Sequence, residues 1–91
     1  MIFISLVKFR KKTTKESIAT TDRVFSALQK QGVKIVASYW TLGNYDAVHI
    51  FDVPDEGAVK RIMKAVMDVS DYVAPETLVA LKREDAIKLL D

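Results

Sequence analysis

Residues 33–53 read VKIVASYWTLGNYDAVHIFDV. Two runs rich in β-branched and aromatic residues, 33–41 and 45–53, flank Leu42-Gly43-Asn44. That is the pattern of two paired strands joined by a short glycine-containing turn. On its amino side the hairpin is preceded by Gly32, placed where a helix needs a left-handed terminal residue. The helix it would close spans residues 14–31, with Ile18, Val24, Phe25 and Leu28 on one face and Thr21 between them. A capping box of Thr13 and Glu16 would start that helix. Before it, residues 2–9 (IFISLVKF) read as a strand.

On the carboxyl side Pro54 ends the strand, and Asp55 is a good N-cap for a helix over residues 56–69. Val59, Ile62, Met63, Val66 and Met67 follow helical spacing and are expected to face the core. Residues 72–81 read as a fourth strand, with Pro75 marking an edge or a kink. Residues 84–90 make a short closing helix. The order βαββαβ plus a terminal helix predicts an α+β, ferredoxin-like fold: a four-stranded antiparallel sheet with two helices on one face.

Side chains alternate across a strand. Ile2, Ile4 and Leu6 share one face, and Phe3, Ser5, Val7 and Phe9 the other. Val48 and Ile50 oppose Ala47, His49, Phe51 and Val53 in the same way. Both faces are largely apolar, yet two helices cover only one. The uncovered face measures about 400 Å², from ~4.8 Å between strands and ~3.3 Å per residue. A second copy packing its own sheet face to face is the economical cover, which predicts a homodimer, or a multiple of one, in the form of a dimeric α/β barrel. A parity set of Val36, Ser38 and Trp40, together with Thr77, would join Ser5, His49 and Phe51 in lining a cavity there.

Composition narrows the function. The chain has 91 residues, enough for one domain over residues 1–91. No cysteine and a single histidine exclude disulfide scaffolds, thiol catalysis and self-contained cysteine or polyhistidine metal sites. No metal and no cofactor are expected. A net charge of +2 is too small to argue for nucleic acid, and the aromatic and glycine pattern of RNA-binding sheets is missing. The basic stretch Lys8, Arg10, Lys11, Lys12 and Lys15 reads as a solvated patch, or as a site for an anionic ligand or acidic partner. The apolar opening lacks a preceding basic region and a small-residue cleavage site, and no run spans a bilayer; a cytoplasmic location is expected.

The stretch Tyr39-Trp40-Thr41-Leu42-Gly43-Asn44-Tyr45-Asp46-Ala47-Val48 resembles the signature of the GYD-domain family, a glycine, one variable residue, then Tyr-Asp. Ile4-Ser5-Leu6-Val7-Lys8-Phe9, Phe51-Asp52-Val53-Pro54-Asp55 and Glu76-Thr77-Leu78 are similar to other parts of the family pattern, so the resemblance covers nearly the whole chain. His49 departs from it, standing where the pattern has an aliphatic residue. The resemblance implies a dimeric α/β barrel. Its superfamily includes cofactor-free monooxygenases, lactone isomerases, stress-responsive barrels, ligand-sensing modules and haem enzymes; it implies no single reaction.

Candidate site residues follow, each with two readings. Gly43, Tyr45 and Asp46 build the turn, with Asp46 accepting backbone N–H groups, or else Asp46 anchors a ligand or serves as a base. His49 is a packed core or interface histidine, or else a proton acceptor or an axial metal ligand. Trp40 packs, or stacks on a planar ligand; either it or Tyr39 must point to the open face. Three functions stay open. The chain binds a small apolar or aromatic ligand through Ser5, Trp40, Tyr45, Asp46, His49 and Phe51. It is a cofactor-independent monooxygenase or isomerase using His49 or Asp46. Or it is an assembly module without ligand.

Overall fold

The computed structural model describes residues 1–90; the expected domain, 1–91, ends in Asp91, which lies outside the described residues. The elements are β1 (Ile2–Phe9), α1 (Lys15–Lys30), β2 (Lys34–Trp40), β3 (Ala47–Asp52), α2 (Glu56–Asp68), β4 (Val73–Ala80) and α3 (Arg83–Lys88). The strands form one antiparallel sheet in the order β2-β3-β1-β4. Helices α1 and α2 pack on one face, giving the α+β, ferredoxin-like architecture.

Local chemistry sets the element ends. The capping box of α1 is built by Thr14 and Ser17, one residue later and with a different partner than Thr13 and Glu16: the Thr14 hydroxyl accepts from the Ser17 N–H at 3.1 Å, and the Ser17 hydroxyl accepts from the Thr14 N–H at 2.9 Å. A serine at the third helical position reaches back as a glutamate would, and its shorter side chain is buried in doing so. At the other end Gly32 has φ +92°, the Gly32 N–H donates to Gln29 and the Val33 N–H to Leu28. This is the Schellman arrangement, and Val33 and Leu28 bury together beneath it. Asp55 caps α2 by accepting from the Ala58 N–H at 2.9 Å.

The core between helices and sheet is Phe3, Leu28, Val33, Phe51, Val53, Ala58 and Ile62. Met63 and Met67 correct the expectation: they are 62% and 72% exposed. The face that α2 buries is Ala58, Ile62, Ala65 and Val69, centred on small residues that let the helix approach the sheet. A stripe centred there leaves positions 63 and 67 outside it. Ile18 is 40% exposed yet lines the space under α1 together with Ser17, Thr21 and Val24.

The strand parities settle which face the helices cover. Phe3, Ser5 and Val7 are buried under them, and Ile4 and Leu6 lie on the open face. The register of β2 shifts between Ile35 and Ala37. This bulge adds a residue, so Ile35, Ser38 and Trp40 share the covered face, while Val36 leaves the expected set and is 52% exposed. The open face carries Ile4, Leu6, Val48, Ile50, Ala37, Tyr39 and Leu78, with no element across it among the described residues. No residue of α3 is buried, and Ile87, Leu89 and Leu90 are exposed.

Candidate functional site

The pairing registers put four polar side chains in one row. Ser38 on β2 is opposite His49 on β3, His49 is opposite Ser5 on β1, and Ser5 is opposite Thr77 on β4. Directly opposed residues share a face. The row therefore crosses all four strands on the helix side of the sheet, with Ser5 buried, His49 half-buried and Ser38 and Thr77 exposed at its ends, whereas the sequence reading puts these residues on the open face. The parity rule holds, but both faces are apolar enough that alternation alone does not say which one the helices take.

Above the row lies a cavity of about 210 Å³. Its walls are mostly apolar: Val7, Phe51 and Trp40 from the sheet, Phe25 and Leu28 from α1, and Ile62, Val66 and Val69 from α2. Ser5, Ser38, His49 and Thr77 all line it. Ser5 is only 6% exposed. Such a volume suits a single ring and a few further atoms, since an apolar cavity of roughly 150 Å³ holds benzene.

His49 is held on two sides. Its Nδ1 lies 2.6 Å from the Ser38 hydroxyl, and its ring meets Phe25 edge to face at 4.9 Å. Burial pushes the imidazole below its ordinary pKa, so the neutral ring is favoured. Phe25 also packs edge to face on Phe51 at 6.0 Å. Trp40 stands at the rim, edge to face with Phe9 at 5.6 Å, and remains 65% exposed. Tyr39 takes the open face.

Gly43, Tyr45 and Asp46 lie outside the cavity. The connection between β2 and β3 is longer than the three residues expected, because Thr41 closes it: its N–H donates to the Asp46 carbonyl at 2.8 Å and its hydroxyl to the Tyr45 carbonyl at 2.7 Å. Gly43 has φ +114° with open space around it, so the backbone conformation alone calls for glycine. The Asp46 carboxylate accepts the Phe9 N–H at 2.7 Å, and the Asp46 N–H donates to the Val7 carbonyl, tying the start of β3 to the end of β1. The Tyr45 hydroxyl donates to Glu76 at 2.6 Å; that bond and the carboxylate's charge raise its pKa. Lys8 lies over the Tyr45 ring at 5.7 Å.

The basic stretch divides among separate tasks. Lys8 sits on Tyr45, Arg10 donates to the Val73 carbonyl at 3.3 Å, and Lys11 stands at the cavity mouth, 5.7 Å from the Tyr72 ring. Asp22 and Thr13 share that mouth. Among the described residues, no group of three or more His, Asp or Glu could hold a metal ion, and no helix is long and apolar enough to cross a membrane. The sequence presents Phe25 and Thr21 only as helix packing. Their spacing signals that they face the sheet, and carries no sign that the space between is unfilled.

Solved structures share this fold. The protein TTHA0845 of Thermus thermophilus superposes with a TM-score of 0.56 at 16% identity, covering 89% of this chain and 92% of its own. A dimeric ferredoxin-like protein of unknown function from Thermobifida fusca gives 0.55 at 16%, covering 87% and 89%. An uncharacterized NIPSNAP domain protein from Burkholderia xenovorans gives 0.54 at 9%, covering 91% and 97%. Identities this low speak for the fold alone. No curated protein matches the chain at significance. The family model for the GYD domain matches residues 2–90, and the Gly43-Asn44-Tyr45-Asp46 turn with its pinned strand ends is the segment on which the resemblance rests; the chain belongs to the GYD domain family.

Proposed function

We propose that this chain binds a small, mostly apolar molecule in the cavity between its helices and its sheet. The observation that carries this reading is an unfilled space of about 210 Å³ in a protein of 91 residues, walled by Phe25, Phe51, Ile62 and Val66. The space opens to solvent at a mouth lined by Lys11, Thr13 and Asp22, and ligand sites are concave, mostly apolar clefts with a few placed polar groups, which is the composition of these walls.

Toluene titration followed by protein NMR tests the proposal. Saturable shifts confined to residues around the cavity are expected, and Val66→Phe, which fills part of the space, should abolish them. Shifts that never saturate, or that scatter over the surface, would overturn it.

The uncovered face favours a second statement about assembly. Ile4, Leu6, Val48, Ile50 and Leu78 form one apolar sheet surface, and α3 offers Ile87, Leu89 and Leu90 beside it in sequence. The chain pairs with a second copy through this face. The neighbour from Thermobifida fusca is itself described as dimeric. Sedimentation equilibrium reads the outcome: a dimer is expected, and a strict monomer at high concentration would sink the pairing.

A further inference from the structure

We infer that the occupant of the cavity is a neutral single-ring compound bearing a hydroxyl group, which is held between Ser5 and His49. This deepens the binding reading above and rests on it. Ser5 is more than nine-tenths buried, lines the cavity and has no side-chain hydrogen-bond partner among the described residues. No fully enclosed side-chain nitrogen or oxygen among them lacks a partner, so the free Ser5 hydroxyl is one that opens onto the space. A hydroxyl facing that space takes its hydrogen bond from whatever fills it, so a ligand with a polar atom there keeps a bond that a purely apolar one would forfeit.

His49 supplies the second contact. Ser38 engages Nδ1, so Nε2 is the ring nitrogen left for a ligand, and His49 lines the cavity. When Ser38 donates to Nδ1, Nε2 carries the proton and is a donor; when Ser38 accepts, Nε2 is an acceptor. A ligand hydroxyl, which both donates and accepts, completes either arrangement. Ser5 and His49 are directly opposed in the β1–β3 register, so their Cβ atoms stand about 4.5–5.5 Å apart and one oxygen reaches both. The Phe25 and Phe51 rings supply flat apolar walls. The charged groups at the cavity, Lys11 and Asp22, are of opposite sign and stand at the mouth; among the described residues no cation lines its interior to hold an anion.

Three probes test the assignment in parallel titrations near neutral pH: phenol, toluene and benzoate. A purely apolar cavity ranks toluene above phenol, because phenol's hydroxyl loses its bonds to water. The expected result is the reverse, with phenol about fivefold tighter or more, as two buried hydrogen bonds would give. Ser5→Ala should restore the apolar order while toluene affinity holds, which also reports that the variant is folded. Toluene ahead of phenol in the unaltered protein would overturn the hydroxyl assignment and leave the cavity reading standing. Benzoate ahead of phenol would replace the neutral class with an anionic one. Binding of none of the three would overturn both readings.

Discussion

At their centres the two faces of the sheet are inverted relative to a simple globular protein. The face under the helices carries Ser5, buried, and His49, half-buried, at the middle of a polar row whose ends, Ser38 and Thr77, are exposed. The open face carries Ile4, Leu6, Val48 and Ile50 at its centre and keeps its polar groups at the two ends, Lys8, Tyr45 and Glu76 at one and Lys34 and Asp52 at the other. Polar groups are normally placed where water reaches them, and apolar ones where it does not. The two proposals divide along the same line, a small molecule with one polar feature for the covered face and a second copy for the open one.

Adjacent residues of β3 separate the two roles most sharply. Phe51 points to the helices and is 5% exposed; Ile50 points away. Phe51→Ala should cost about 3–5 kcal/mol of folding stability, the usual penalty for removing a buried ring, read as a lower denaturation midpoint. Ile50→Asp should leave the fold in place and separate the copies. A carboxylate forced into an apolar interface costs about 3 kcal/mol or more, roughly a hundredfold in the dimer dissociation constant, read by sedimentation. If Ile50→Asp destabilised the chain as much as Phe51→Ala without changing the subunit count, the difference between the faces would collapse.

The turn that marks the family offers a finer contrast. Asp46 holds the Phe9 N–H outside the cavity. Asp46→Ala should therefore cost about 1–2 kcal/mol by leaving a half-buried donor unpaired, and should leave toluene binding unchanged. Lost binding with intact stability would place Asp46 in the ligand site.

Much of this was legible before any coordinates. Gly32, Asp55 and Gly43 are local signals, decided by φ and by one or two hydrogen bonds, and each has the expected role, although the turn around Gly43 runs longer than three residues. The element order follows from them. What was not legible depends on long-range choices. Ile4 and Phe3 are equally apolar, so alternation separates the faces without naming the covered one. The β2 bulge at Val36 switches parity midway, and no residue type there announces it. Met63 and Met67 fit helical spacing as well as Ala58 and Ala65 do; the smaller pair wins because it lets α2 approach the sheet. The cavity is a property of packing, and spacing describes which side chains meet, never how much room they leave.

The smallest effect concerns His49 and pH. Its folded pKa is depressed by burial, and the unfolded value is the ordinary one, near 6.5. Between the two, the unfolded chain binds more protons than the folded one, so acidification favours unfolding there. Stability should be flat above about pH 6.5 and fall as the pH drops below it, with a slope that one proton limits to about 1.4 kcal/mol per pH unit. His49→Gln should remove that part of the slope and keep a polar group in the row. The open face carries no histidine, so a variant there should not. Denaturation midpoints at matched ionic strength read both outcomes. A slope unchanged in His49→Gln would mean that the imidazole meets water in the folded state, and the covered face would then be no drier than the open one.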